Sequence, residues 1–329
     1  MDKIAKFYSM ETGVEKEMVL LVMGVRDKGF TKKGEPFVAV DLFDGVKTQP
    51  VNFFSETIDS MREKGVISGS ILRLNLTHGS DGYYNQSHWE LNTDSSITEK
   101  DFVHAAPINP DKYFEGLIDC VSSVDSNPEG VGPYKSISSL AVKLLLENKD
   151  AFKRSSAAVS MHHNFLSGLL YHTVRMVCLA SHFCDVYKGL DKELLVCAAA
   201  LHDIGKISCY ETLDVGEANV TVEGRLLEHA VVGIMMIHDA AKEDVYNPEK
   251  IEMLKHMIAS HHGKKEWDAI TTPAFPEAEM LHIIDLADSR MSMFEEAYKG
   301  QEPGTISEEK VYGLENSYIY KPMYNEAWR

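Results

Sequence analysis

The chain has 329 residues, 44% hydrophobic and 25% charged, an ordinary balance for a globular protein and enough length for about two domains. Its formal net charge of −17 argues against a broad basic surface gripping duplex DNA through many phosphates. It leaves room for a local basic groove, or for a site whose positive charge comes from bound metal. The five cysteines (Cys120, Cys178, Cys184, Cys197 and Cys209) include no C-x-x-C pair, which argues against a disulfide framework and a thiolate zinc site. Cys178, Cys184 and Cys197 lie in apolar helical runs, where thiols are commonly buried. No apolar run approaches the ~20 residues that span a bilayer. No signal peptide is evident after Met1, so a cytoplasmic protein without membrane contact is expected.

Residues 17–93 read as short strands. A continuous apolar run covers 18–25, and Lys33-Gly34 ends the turn that follows. In 37–43, Val38, Val40 and Leu42 share a face. Asp44-Gly45 is a hairpin signal and 47–54 the returning strand. Residues 55–64 have helical character. Leu72, Leu74 and Leu76 alternate with Arg73 and Asn75, as a half-buried strand does, and 79–82 turn the chain into 83–92. Five strands with a helical piece between the third and fourth fit an OB-type barrel. Such barrels stack single-stranded bases on aromatic side chains. Phe37, Phe43, Tyr83, Tyr84 and Trp89 are candidates, the alternative for each being a place in the barrel core.

Residues 94–110 are polar and read as a linker. From Asp111 onward the strand signals stop and only helices are expected: 113–124, then 136–148 with Ser136 or Ser138 as cap, after a loop at 125–135. In a further helix near 163–188, Phe165, Leu169, Met176 and Ala180 recur at helical spacing, and His172 falls on that stripe. A histidine there is by itself more often a satisfied core residue than a ligand. Its company changes the reading. His172 is followed by His202-Asp203, His229, His261-His262 and Asp285, all in apolar surroundings, at separations of 30, 26, 32 and 24 residues. Asp285 sits in an apolar run, where an ionised carboxylate is costly unless paired or coordinated. Together these residues suggest a metal site built between helices.

The series His172, His202-Asp203 and Asp285 resembles the HD superfamily of metal-dependent phosphohydrolases, and His229 and His261 are similar to the added ligands of its two-metal members. The stretch 162–173 resembles H-H-x-F-x-G-G-L-x-x-H-T, with Ser167 in place of the first of two glycines. The stretch 313–322, with Ser317 where Arg is common, resembles the tail of the same group. With the barrel, this identifies the chain as a member of the YhaM-type 3′→5′ exoribonucleases over nearly its whole length.

The resemblance implies a multidomain α and β fold: an N-terminal OB-type β-barrel (1–100), a linker and helical connector (101–160), an all-α HD domain (161–305) and a tail (306–329) packing on the HD domain. It implies one metal held by His172, His202, Asp203 and Asp285, and a second, bridged by Asp203, held by His229 and His261. Two divalent ions per chain are expected, Mn²⁺ first, with Fe, Co or Zn also suited to imidazole and carboxylate ligands. They would share a hydroxide that attacks phosphorus in line, with Asp203 and Lys206 as catalytic residues. Lys206 would meet a substrate phosphate, the alternative being a cap charge at the end of the His-Asp helix. His163 is a further substrate-binding candidate, the alternative being a place at the helix N-terminus, and His262 is a substrate contact, an outer ligand or an exposed residue. In the barrel, Arg26, Lys28, Lys32 and Lys33 cluster where a strand could bind.

The function so implied is 3′→5′ exonucleolytic cleavage of single-stranded RNA, with single-stranded DNA as a second polymer, releasing nucleoside 5′-monophosphates. A homo-oligomer is expected. The net charge favours an alternative, an HD phosphohydrolase acting on a small nucleotide or cyclic dinucleotide. A non-catalytic binding module is disfavoured by the intact ligand series.

Overall fold

A 16-residue strand, β1 (Glu15–Phe30), serves two neighbours in succession. Its first half pairs antiparallel with β4 (Ile71–His78), Leu20 opposite Leu72, and its second half with β2 (Pro36–Phe43), Val25 opposite Val40. The register slips between Val22 and Gly24, a bulge that lets one strand turn from one neighbour to the other. The computed structural model describes residues 4–158 and 164–323, and these divide into two units, 1–104 and 105–329.

In the first unit, β3 (Thr48–Phe54) pairs antiparallel with β2, and β5 (Tyr84–Leu91) pairs antiparallel with β4 and parallel with β3. The strand order β1-β2-β3-β5-β4 closes on itself as a barrel. Alternation decides what lies inside: Leu72, Leu74 and Leu76 are buried with Val38, Val40, Leu42, Val51 and Phe53. A short helix, α1 (Ile58–Glu63), follows β3 and contributes Met61 to this core; its first turn is closed by a reciprocal Thr57/Ser60 capping box. The turn after β2 is held by Asp44, whose buried carboxylate accepts from the backbone N–H groups of Phe7, Val46 and Lys47.

The second unit is built around α6 (Lys192–Leu201), whose residues from Glu193 to Leu201 are all buried. Its run Leu-Leu-Val-Cys-Ala-Ala-Ala-Leu is apolar all round, the pattern of a central helix, and the alanines let neighbours approach closely. It packs against α2 (Pro110–Ser123), α3 (Ile137–Glu147), α5 (Gly168–Val186), α9 (Pro248–Ser260) and α10 (Pro276–Ala297). The buried Glu193 carboxylate is satisfied by Lys250 Nζ at 3.0 Å and by the Ser126 hydroxyl at 2.6 Å. α2 starts three residues earlier than its apolar pattern suggests, because Asn109 caps it and Pro110 occupies its first position. α4 (Lys149–Arg154) follows α3, and Ser136 rather than Ser138 caps α3.

Three expectations need correction. This unit is not all helical: after α7 (Lys206–Cys209), β6 (Tyr210–Thr212) and β7 (Ala218–Val220) form a small antiparallel hairpin. Three-residue strands are too short to show a period of two, so only the Asp214-Val215-Gly216 turn between them was readable. α5 begins at Gly168 rather than near 163, because Ser167 adopts a left-handed conformation (φ 62°, ψ 15°) that the helix cannot incorporate. Cys178 is exposed, facing away from the α5 core stripe, whereas Cys184 and Cys197 are buried. The tail turns back through bridges between Val311 and Ser317 and between Ile306 and Tyr320. Lys321 then donates to the carbonyls of Tyr298 and Gln301 at the end of α10. No helix among the described residues is long and apolar enough to cross a membrane.

Candidate metal centre

The sequence-predicted ligands converge from five places. His172 comes from the second turn of α5, and His202 and Asp203 from the turn that ends α6. His229 comes from α8 (Val222–Ala241), His261 and His262 from the end of α9, and Asp285 from the middle of α10. His172, His202, Asp203, His229 and His261 are buried, and the Asp285 side chain is 18% exposed.

Their donor atoms form two groups with Asp203 between them. In the first, His172 Nε2 lies 3.1 Å from His202 Nε2 and 3.4 Å from Asp285 Oδ1. Asp203 Oδ2 is 3.2 Å from His202 Nε2 and 3.8 Å from His172 Nε2. In the second, His229 Nε2 and His261 Nε2 are 3.4 Å apart, and Asp203 Oδ1 lies 3.4 Å from the former and 3.8 Å from the latter. His262 joins this second group, its ligand atom within 4.8 Å of the other two imidazoles. Ligands about 2.0–2.2 Å from one ion stand about 3.0–3.5 Å from each other, so both groups have the spacing of a coordination shell. Asp203 Oδ1 is buried without a hydrogen-bond partner, a costly state for a carboxylate oxygen unless a cation meets it. The donor set fits a metal.

The local backbone explains how the residues reach these positions. Gly205 follows the His-Asp pair and packs directly on the main chain of α8, where a Cβ would meet the Gly233 nitrogen at 2.7 Å. Glu228, just before His229, has φ 63° and ψ 151° and kinks α8 there. Such a non-glycine residue carries strain of about 1–3 kcal/mol, consistent with a backbone bent to aim its neighbour. Gly263, after His261-His262, has φ 77°, and a Cβ on it would fall 2.3 Å from the His282 imidazole. His282 Nδ1 in turn donates to the His261 carbonyl at 3.0 Å.

Electrostatics divide the groups. His172 is pushed up to about 10: burial opposes the charge, but hydrogen bonding to Asp285 and Asp288 outweighs it. His229 is held down to about 3, by burial first and then by the Lys206 ammonium; burial likewise holds His261 well below its usual value. Burial would raise Asp203, yet His202 and Lys206 hold it well below the carboxylate range. Asp285 is lowered too, its hydrogen bond to His172 and the charge of His202 overcoming burial.

Lys206 opens α7 and its Nζ donates to Asp203 Oδ2 at 2.7 Å. Sequence reasoning missed Asp288 and Arg175. Asp288 Oδ2 accepts from His172 Nδ1 at 2.7 Å, and Asp288 Oδ1 meets Arg175 Nε at 2.5 Å. The readable signal was spacing: Arg175 is three residues after His172, and Asp288 three after Asp285. His163 lies outside the described residues.

In the barrel unit, Arg26 is engaged by Asp41 through Nε at 2.8 Å and Nη2 at 2.5 Å. Lys28, Lys32 and Lys33 are exposed. Of the aromatic candidates, Phe43 is core, Tyr83 is 63% exposed, and Phe37 stacks on Phe54 at 5.6 Å across β2 and β3. Phe30 and Phe54, not among those candidates, are 72% and 49% exposed.

An HD domain model matches residues 169–293, the segment that carries all six predicted ligands. The chain is 31% identical to the 3′-5′ exoribonuclease YhaM of Geobacillus sp. (strain WCH70), over 96% of this chain and 95% of that protein. The chain belongs to the YhaM family of 3′-5′ exoribonucleases. It is 30% identical to the Bacillus subtilis (strain 168) member over 96% of this chain and 98% of that protein. With the Shouchella clausii (strain KSM-K16) member the identity is 36%, over 69% and 67% respectively. The HD fold of this family is metal-dependent, and the two His/Asp clusters described above are able to take metal.

Proposed function

We propose that the chain is a metal-dependent 3′→5′ exonuclease on single-stranded RNA, removing one nucleoside 5′-monophosphate at a time. The observation that carries this reading is Asp203, whose two oxygens face two separate imidazole groups. His172, His202 and Asp285 would hold one divalent ion with Asp203 Oδ2. His229 and His261 would hold a second with Asp203 Oδ1, and His262 supplies a third imidazole there. With nitrogen and oxygen donors and no thiolate, the set suits Mn²⁺, Fe, Co or Zn. Bound there, such ions supply Lewis acidity towards a phosphodiester and lower the pKa of a water.

The protein's own groups do the rest. His202 and His261 donate Nδ1–H to the carbonyls of Ala199 and Ile258, which leaves each Nε2 lone pair facing the cluster. Lys206, half-buried and positively charged beside Asp203, is placed to neutralise a phosphate oxygen arriving at that carboxylate's edge. The strand order, the parallel β3–β5 closure and the helix between β3 and β4 support an OB-type barrel. Its part would be to hold the strand, with Lys28, Lys32 and Lys33 against phosphates and Phe30, Phe37 and Phe54 under bases. A small nucleotide is the second reading, favoured by the net charge of −17.

The test is a time course with Mn²⁺-loaded protein on 5′-labelled single-stranded RNA, beside Asp203→Ala. A descending ladder that the variant fails to make supports the proposal. Intact RNA from metal-loaded wild type overturns it in favour of a small phosphoester.

A further inference from the structure

We infer that Asp288, backed by Arg175, is a positioning residue that sets the orientation and basicity of His172, and through it the metal affinity of one group of ligands and not the other. This rests on the two-group reading above. The imidazoles of the cluster are not supported alike. His202 Nδ1 donates to the Ala199 carbonyl at 2.9 Å and His261 Nδ1 to the Ile258 carbonyl at 2.6 Å, in each case three residues back along the chain. These acceptors are neutral and belong to the backbone. His172 Nδ1 instead donates to a carboxylate, Asp288 Oδ2, at 2.7 Å.

The Asp288 side chain is 1% exposed, a position where an unpaired negative charge would be expelled. Its second oxygen is held by Arg175 Nε at 2.5 Å. Arg175 reaches Glu295 at 3.3 Å and lies 5.2 Å from the centre of the Tyr171 ring, so the guanidinium is itself fixed from two further sides. Glu295, Arg175, Asp288 and His172 thus form one line of alternating charge between α10 and α5, ending at Nδ1 of a candidate ligand.

A carboxylate on the far nitrogen fixes the tautomer that leaves Nε2 free and raises its donor strength; losing such a partner typically costs about 10–100-fold in metal affinity. Asp288 meets His172 and does not meet His229, His261 or His262 in any hydrogen bond or ion pair among the described residues. Its effect therefore falls on the group of His172, His202 and Asp285.

The experiment titrates metal-free wild type, Asp288→Asn and Arg175→Gln with Mn²⁺, following affinity and stoichiometry by calorimetry and free-ion resonance. The melting temperature of each metal-free protein is read alongside. Wild type is expected to take up two equivalents. Asp288→Asn should weaken one by about 10–100-fold and leave the other unchanged, with Arg175→Gln intermediate. Unchanged affinities in both variants overturn the inference, as does equal weakening of both equivalents in a variant whose metal-free fold is intact. Should Asp288→Asn fail to fold, Arg175→Gln decides by the same criterion. A wild type that binds one equivalent overturns the two-group reading, and the positioning role is then decided by whether Asp288→Asn weakens that equivalent.

Discussion

The α-carbon of Gly205 lies so close to the main chain of His229 that a Cβ built on it would stand 2.0 Å from the His229 carbonyl oxygen. The turn that delivers Asp203 and the kinked helix that delivers His229 are thus in van der Waals contact through a residue with no side chain. Gly205→Ala must push the two apart by more than an ångström. Overpacking of this kind costs about 1–3 kcal/mol, and the relief would open the spacing between Asp203 Oδ1 and His229. The expected result is a metal-free protein with a lowered melting temperature and a metal content, measured by elemental analysis, well below two equivalents. A variant with normal stability and full metal content would show that the contact is not needed.

Metal uptake should release a proton near neutral pH. In the metal-free protein His172 sits at about 10, above its usual 6.5, so it is charged at pH 7 and must lose that proton to offer Nε2. His229 is at about 3 and His261 is also lowered, so both are neutral at pH 7 and release none. Affinity should therefore rise with pH, by up to about tenfold per unit, from neutrality until His172 titrates near 10. The stability of the metal-free protein has the opposite sign. The raised pKa contributes stability fully present below about 6.5, which is lost as pH rises through about 10. Calorimetric titrations in buffers of different ionisation enthalpy check this; a heat independent of buffer would mean that His172 is already neutral.

Ser167 occupies a left-handed conformation at the entry to α5, where a non-glycine residue costs about 1–2 kcal/mol. Glycine there loses about 0.5–1 kcal/mol through the unfolded chain. Ser167→Gly should therefore stabilise the protein by roughly 0.5–1 kcal/mol, the difference between these two effects. Chemical denaturation measures it, and a shift of the midpoint to lower denaturant would contradict the strain argument.

If Lys28, Lys32 and Lys33 meet phosphates of a single strand, each neutralised contact adds about 0.7 to the slope of log affinity against log salt. Replacing all three with Ala should reduce the slope for single-stranded RNA by about 2, and leave metal content untouched. An unchanged slope would remove these lysines from the interface. Arg26→Ala should have the smaller effect, because Asp41 already occupies its guanidinium.

Phe37→Ala would remove half of the Phe37–Phe54 stack. Stacked bases are worth about 1–3 kcal/mol each, so strand affinity should fall by about tenfold or more, with little change in salt slope. An unchanged strand affinity would assign Phe37 to the fold instead.

The linear order of residues was enough to single out the histidines and carboxylates that the fold brings together, because such groups in apolar runs are costly unless they share a partner. Alternation in 72–76 and the turn at Asp44-Gly45 made the strands legible in the same way, since inward-facing residues of a strand must repeat every second position. Only the tertiary structure decided which oxygen of Asp203 faces which imidazoles, and that His262 joins His229 and His261. It alone paired Asp288 with His172, 116 residues apart, and withdrew Arg26 onto Asp41. These are relations between side chains on different elements. A sequence encodes the period of an element and the cost of burying a charge, but the partner that offsets the cost is chosen by how the helices cross.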